Sequence, residues 1–317
     1  MNKNTAKFLK IVLPLLLGIL LVWYSLSKIS VEELITYFKN ADYFYISLGL
    51  FFGLLSHLSR AYRWKFMIEP LGYTLRLPNS IMAVFATYLV NYTIPRAGEI
   101  TRATILTNYE GVPFEKGFGT IVAERIADML VMIGIISITL FLEFEFIYQF
   151  FAERFEPQKI IFGLIFALVL LTFLFLFLKR SQSGIAIKVR SFVAGLVEGI
   201  MTIFKMKKKW AFIFHTLFIW GMYVLMFYVT SLALEETSHL PFVAILIGFI
   251  SASFSIAATN GGIGSYPVAV YAAFSIFAIA KEPSIAFGWI MWSSQTFMII
   301  VLGGLSLIYL PIYNRIK

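Results

Sequence analysis

The chain is expected to be an all-α, polytopic helical membrane protein with an inverted-topology repeat: about six crossings and two re-entrant helical hairpins. Three observations lead there. Hydrophobic residues make up 60% of the 317 positions and charged residues only 14%, more apolar surface than one soluble core of this size hides. Several apolar runs approach the roughly 20 residues a helix needs to cross about 30 Å of hydrocarbon, and no run shows the alternating pattern of an outer-membrane barrel. Finally, two long apolar stretches, 79–142 and 241–310, are interrupted in the same order by helix breakers.

The first run, "FLKIVLPLLLGILLVWYSLS" (8–27), follows Lys3, Lys7 and Lys10 and reads as a crossing that starts inside. A cleaved signal peptide is the other reading, but the run is long for one, and Trp23 and Tyr24 crowd the cleavage position. The chain then passes Glu32, Glu33 and Asp42 outside and returns through 43–62 to Arg60, Arg63, Lys65 and Arg76. The stretch 79–142 leads out to the acidic loop "EFEFIYQFFAERFEPQ", and 158–178 returns to Lys179 and Arg180. Helix 210–234 leads out to Glu235 and Glu236, and 241–310 comes back to Arg315 and Lys317. Only Lys28, Lys39, Arg154, Lys159 and Lys281 then fall outside, with Arg96, Arg102 and Arg125 left inside the membrane. This obeys the positive-inside rule, so both termini are expected in the cytoplasm and the chain in the cell (plasma or inner) membrane.

Residues 185–205 carry Lys188, Ser191, Gly195, Glu198, Thr202 and Lys205 as a narrow polar stripe between basic flanks. That is the pattern of an amphipathic helix lying on the cytoplasmic interface, as a lipid sensor or as a linker packed on the bundle. The net charge of +9 is spread over helix ends, with no basic face or module for nucleic acid. Cysteine is absent, so no thiol chemistry or disulfide is available. His57, His215 and His239 have no partners at metal-ligand spacing, and no nucleotide-binding glycine loop or nucleophile elbow appears, so no metal or cofactor is expected.

Each interrupted stretch opens with a short apolar run, 79–94 or 241–259, that meets a breaker: Pro95 and Gly98 in one, "NGGIGSYP" (260–267) in the other. A second short segment, a loop with proline and charge, and a full crossing follow. Gly98 and Gly264 lie at nearly equal distances from the starts of their preceding crossings, Tyr43 and Ala211, yet charge places those starts on opposite sides. The chain therefore divides, within a single integral membrane domain spanning 1–317, into repeats at about 8–142 and 158–310. Inverted repeats with interrupted helices are the pattern of secondary transporters, whose substrates bind where unwound backbone lines a cavity.

The first break holds Arg96, Glu99 and Arg102, with Glu99 one turn from either arginine. An arginine at mid-bilayer costs roughly 2.5–3.5 kcal/mol on insertion scales, and a guanidinium fork fits a phosphate in bidentate fashion. Two readings follow: a lipid-phosphate site, or an ion cluster that locks the hairpin. "AERIAD" (123–128) sets Glu124 and Asp128 one turn apart beside Arg125, either as a pairing set between elements or as a relay. Thr87, Tyr88, Asn91 and Tyr92 form i,i+4 pairs placed to line a polar path. In the second break, Ser251, Ser255 and Thr259 lead to Asn260, Gly261, Gly262 and Gly264; close packing is the favoured reading, with exposed amides for a phosphate the other. His57, Arg60 and Arg63 share one end of their helix, where contact with lipid head groups is one reading and a snorkelling anchor at the inner face the favoured one.

These motifs resemble the flippase-like family of membrane proteins, also called the lysylphosphatidylglycerol synthase transmembrane region. Pro95, Gly98, Glu99 and Arg102 match its P-x-x-G-E-x-x-R pattern, Glu124, Arg125 and Asp128 its ER-x-x-D pattern, and "NGGIGSYP" its second glycine motif. The resemblance implies movement of phospholipids or lipid-linked carriers between leaflets, with membrane lipids as partners. It also implies no catalysis by this region: in fused members aminoacyl transfer belongs to a soluble C-terminal domain, and here only residues 311–317 follow the last expected helix. The family often places an acidic residue after the second glycines and an arginine in the next helix, where this chain has Ser265, Tyr266, Pro267 and "WIMWSSQTF". Besides a transporter, the sequence is compatible with a scaffold for a lipid-modifying or glycan-assembling enzyme. An integral transferase is disfavoured because no nucleophile or base with an acceptor site stands out.

Overall fold

A computed structural model describes residues 18–94, 97–145, 148–149, 157–181, 183–184, 186–187, 190 and 206–315. Arg96, the first part of the expected crossing 8–27, and nearly all of the expected interfacial helix 185–205 lie outside these residues. No strand occurs among the described residues. The chain forms two compact units, residues 1–124 with 207–317, and residues 125–206.

The first unit begins with α1 (18–26) and α2 (Val31–Asn40), the latter capped by the Ser30 side chain, which accepts from the Glu33 amide at 3.1 Å. Helix α3 (Tyr43–Ile68) starts at Asp42, whose carboxylate accepts from the Phe44 amide at 2.9 Å. It runs six residues past its expected end before closing in a 3-10 turn at Glu69–Leu71. Helices α4 (Leu77–Thr93) and α5 (Ala97–Glu110) pack against each other across the break at 94–96, and α6 (Phe114–Leu142) follows and continues into the second unit. The second unit also holds α7 (Pro157–Arg180). Back in the first unit come α8 (Lys209–Ser231), the short α9 (Glu235–Ser238), α10 (Phe242–Ala258), α11 (Ser265–Phe274) and α12 (Lys281–Arg315). Among the described residues, α6, α8 and α12 are long and apolar enough to cross a bilayer, and α2 meets the next helix at an 84° bend.

Helix α12, 35 residues and so about 50 Å long at 1.5 Å per residue, serves as a ruler for both interrupted stretches. Near its C-terminus, Asn314 accepts from Arg76 (2.7 Å) and Asn79 (3.0 Å) at the start of α4, and Arg76 also binds Glu110 at the end of α5 (3.0 Å). The first hairpin therefore opens at that end. Near the N-terminus of α12, Phe287 stacks on Phe274 at the end of α11 (5.6 Å between centroids) and meets Phe227 edge-on (5.0 Å). The second hairpin opens at the other end. Between them, Trp292 donates to the Gly261 carbonyl (2.8 Å) and Thr296 to the Tyr92 hydroxyl (3.2 Å), so both tips lie near the middle of α12.

Glycine makes those tips possible. The Gly98 amide donates to Asn91 Oδ1 at 2.8 Å, and a Cβ there would strike the Thr87 carbonyl and come within 2.8 Å of the Asn91 side chain. Gly261 has φ +67° and presses on the Tyr92 ring, 2.7 Å from where a Cβ would sit; both demands select glycine. Beside Gly261, Asn260 Nδ2 donates to the Tyr92 carbonyl at 2.8 Å and joins one tip to the other. That carbonyl sits in the last turn of α4.

Candidate functional site: a buried arginine cage

A buried polar cluster of the first unit is built by four helices at the level of the last turns of α3. Arg60 and Arg63 stand three residues apart on α3 and so share a face, with Trp64 beside them. Arg102 comes from α5 and Glu124 from α6, while α8 supplies Phe212 and Thr216. All three arginines and the glutamate are essentially out of solvent, Arg63 at 0% and Glu124 at 1% exposure.

Glu124 is the centre. Its Oε1 accepts from Arg60 at 2.7 Å and from Arg102 at 3.2 Å and lies 3.2 Å from Arg63 Nη2; its Oε2 accepts from Arg102 at 3.1 Å. Arg102 thus grips both oxygens in the fork geometry that only a guanidinium provides. Its Cζ lies 3.9 Å from the centre of the Trp64 ring, close enough for a cation–π contact in a dry setting. Trp64 is fixed in turn, donating to Thr120 at 2.9 Å. Arg63 donates to Thr216 at 2.7 Å and its guanidinium sits 5.1 Å from the Phe212 ring.

A second polar layer lies one turn along α3. His57 Nδ1 faces Tyr223 Oη at 3.4 Å, Tyr223 faces Tyr88 at 3.5 Å, and the His57 and Tyr88 rings are 4.7 Å apart. The hairpin junction of Tyr92, Asn260 and Thr296 forms a third. Polar groups thus recur from the arginine cage to the meeting point of the tips, between apolar neighbours such as Phe85, Met298 and Ile299.

The candidate residues from the sequence fall in several places. Arg102 and Glu124 meet in the cage. Glu99 is half-buried on the first turn of α5, and Asn91 is committed to the Gly98 amide. On α6, Arg125 is half-buried and Asp128 buried. Asn260 and Gly261 join the tips, and the Gly262 amide donates to Thr259 at 3.2 Å. Gly264 caps α11 and abuts the backbone of Leu21 and Val22. Ser255 and Thr259 meet Ser265 at 2.6 and 2.9 Å, closing the second hairpin on itself.

One expectation is overturned. His57, Arg60 and Arg63 are not a snorkelling anchor: their exposures are 7%, 3% and 0%, and the two arginines point at Glu124. Because α3 continues to Ile68, these residues lie well inside the helix, and α8 and α6 cover them. The sequence signal available was the pair of arginines three apart next to a tryptophan; a charge near a helix end reads as interfacial unless its cover is known.

The helices and the buried ion cage define a multi-pass, all-α membrane protein. Residues 11–304 match the lysylphosphatidylglycerol synthase TM region, and the chain belongs to that family. It is 25% identical over 307 residues to a UPF0104 membrane protein of Methanocaldococcus jannaschii, covering 88% of each chain. It is also 27% identical over 131 residues to the glycosyltransferase AglD of Haloferax volcanii, covering 41% of this chain and 21% of that one. No solved structure matches it.

Proposed function

We propose that this protein moves lipids with anionic head groups, phospholipids or lipid-linked carriers, between membrane leaflets. The observation that carries the reading is the cage: Arg60, Arg63 and Arg102 converging on the buried Glu124 carboxylate inside a membrane bundle. Burying guanidiniums in such a place costs several kcal/mol of desolvation each, so a site of this kind points to a task beyond packing. A lipid phosphate is the anion a membrane supplies, and guanidinium forks suit it. In this reading the hairpins enter from opposite leaflets with their open ends toward the two surfaces, and the polar layers from His57 to Tyr92 mark the route of the head group. Acyl tails stay in lipid, both termini face the cytoplasm, and alternating exposure comes from one hairpin rocking against the other.

A second reading, a scaffold that holds a glycan-assembling or lipid-modifying enzyme without transporting anything, is favoured by the partial similarity to a protein named as a glycosyltransferase. Reconstitution separates them. Liposomes carrying the protein and head-group-labelled phosphatidylglycerol report translocation as loss of protection from a membrane-impermeant quencher. Transport is expected in the wild type and to fall about tenfold or more in Arg102→Ala, the equivalent of roughly 1.4 kcal/mol. Equal rates with empty liposomes, or with the variant, refute it.

A further inference from the structure

We propose that α2 is an interfacial helix whose apolar edge is seated in a zwitterionic lipid surface, at the face where the second hairpin opens. The inference is independent of the transport reading. Over Val31–Asn40 the apolar residues Val31, Leu34, Ile35 and Phe38 recur at spacings of three and four and so share one side of the helix. Glu32, Glu33, Thr36, Lys39 and Asn40 take the other. The protein covers only part of the apolar side. Leu34 and Phe38 are half-buried, whereas Val31 and Ile35 are 53% and 48% exposed.

The direction of α2 follows from α3. A Cβ at Gly49 would meet Thr230 and Met226 of α8, one at Gly53 would meet Met226, Ser59 bonds His215 at 2.8 Å, and Arg63 donates to Thr216 at 2.7 Å. Helix α3 therefore runs antiparallel beside α8, which is long and apolar enough to cross a bilayer. Because α2 meets α3 at 84°, it lies across the direction of crossing, in the plane of the membrane. Its level follows from its neighbours. The Asp42 amide, between α2 and α3, donates to the Ala233 carbonyl just past the end of α8 at 2.9 Å. Tyr37 rests near Glu236 of α9 and Glu282 in the first turn of α12, where burial and then the Glu236, Glu33 and Glu282 carboxylates push its phenol up. Exposed aromatics stand at both ends of α2: Trp23 and Tyr24 in the last turn of α1, and Tyr43 and Phe44 in the first turn of α3. Tryptophan and tyrosine favour the membrane–water boundary, so they set α2 at that level. The Tyr43 hydroxyl donates to the Phe38 carbonyl at 2.8 Å, which makes the exposed start of α3 continuous with α2. Val31 and Ile35 thus extend the lipid-facing surface of the bundle along the boundary. Two half-exposed side chains fall far short of the roughly 800 Å² per partner of a stable protein interface, but a narrow apolar edge suffices for a helix already held at a lipid surface. With Glu32 and Glu33 exposed on the polar side, attraction to anionic head groups does not account for the seat, so an apolar seat among zwitterionic head groups is the fit.

The chain has no cysteine, so a single introduced thiol carries a nitroxide label at one chosen position. The test uses full-length Val31→Cys, Ile35→Cys, Glu32→Cys and Thr36→Cys, each labelled and placed in phosphatidylcholine nanodiscs. Power-saturation electron paramagnetic resonance then compares collisions with oxygen, which concentrates in lipid, and with a nickel chelate, which stays in water. Positions 31 and 35 are expected to be more accessible to oxygen than to the chelate, at a depth of about 5–10 Å into the head-group and acyl boundary, with the order reversed at 32 and 36. Two positions on each side keep the comparison intact if one variant does not fold. Chelate dominating at all four positions overturns the proposal by placing α2 in water. Positions 31 and 35 shielded from both reagents overturn it too, because a second copy or another protein segment then covers the edge. The same pattern is expected when phosphatidylglycerol is added; insertion that occurs only with phosphatidylglycerol present refutes the apolar, zwitterionic seat.

Discussion

Replacing Arg102 by lysine probes whether the fork, and not merely a positive charge, holds the cage. Lysine keeps the charge and can reach one oxygen of Glu124, so it forfeits one of the two contacts at 3.2 and 3.1 Å and the planar stacking on Trp64 at 3.9 Å. A hydrogen bond to a charged group is worth about 1.5–3 kcal/mol, and a desolvated cation–π contact about 0.5–2 kcal/mol. The strongly hydrated ammonium is also more costly to bury than a guanidinium. The expected loss is about 2–5 kcal/mol of unfolding free energy. Glu69→Gln provides the contrast: the Lys208 and Glu69 side chains are 54% and 58% exposed, and their ion pair should be worth no more than about 1 kcal/mol. Unfolding in mixed micelles with increasing dodecyl sulfate, followed by far-UV circular dichroism, gives both values. If Arg102→Lys costs under about 1 kcal/mol and is indistinguishable from Glu69→Gln, the buried fork does not organise the site.

Two further outcomes follow from the hairpin tips. Gly98→Ala drives a methyl into the Thr87 carbonyl and the Asn91 side chain, so α5 must shift away from α4; a destabilisation of about 1–3 kcal/mol is expected in the same unfolding assay, with lower transport. Wild-type stability in that variant would show that the tip is looser than its geometry. Asn260→Ala removes the bond to the Tyr92 carbonyl that joins the two tips and should cost about 0.5–1.5 kcal/mol. A double-mutant cycle with Thr296→Val, which removes the other contact at Tyr92, checks that the two bonds act together; strict additivity would show that they do not.

Much of the fold was legible because the signals are local. Hydropathy and length found the helices, and the breakers at Pro95, Gly98 and the "NGGIGS" segment located both interruptions to within a few residues. Ser255 and Thr259, whose four-residue spacing favours close packing over ligand contact, hydrogen-bond to Ser265 within the second hairpin. The candidate site was legible only in part. Arg102 and Glu124 stand out in the sequence as charges in apolar surroundings, whereas Arg60 and Arg63 follow an apolar run that ends near Tyr62 and so read as residues of the inner surface; the helix in fact continues to Ile68 and both are buried.

By itself, the sequence determined that the chain is a bundle of membrane helices, where they break, and that a few arginines stand where lipid would penalise them. Those properties depend on composition and on the 3.6-residue period, both written along one dimension. Tertiary structure alone decided that Arg60, Arg63 and Arg102 converge on Glu124, and that the two interrupted hairpins meet tip to tip beside the middle of α12. A helix's own pattern says which of its faces is polar, but not which other helix covers that face. In a buried ion cage that covering partner decides whether a charge is an anchor at the surface or a ligand in the core.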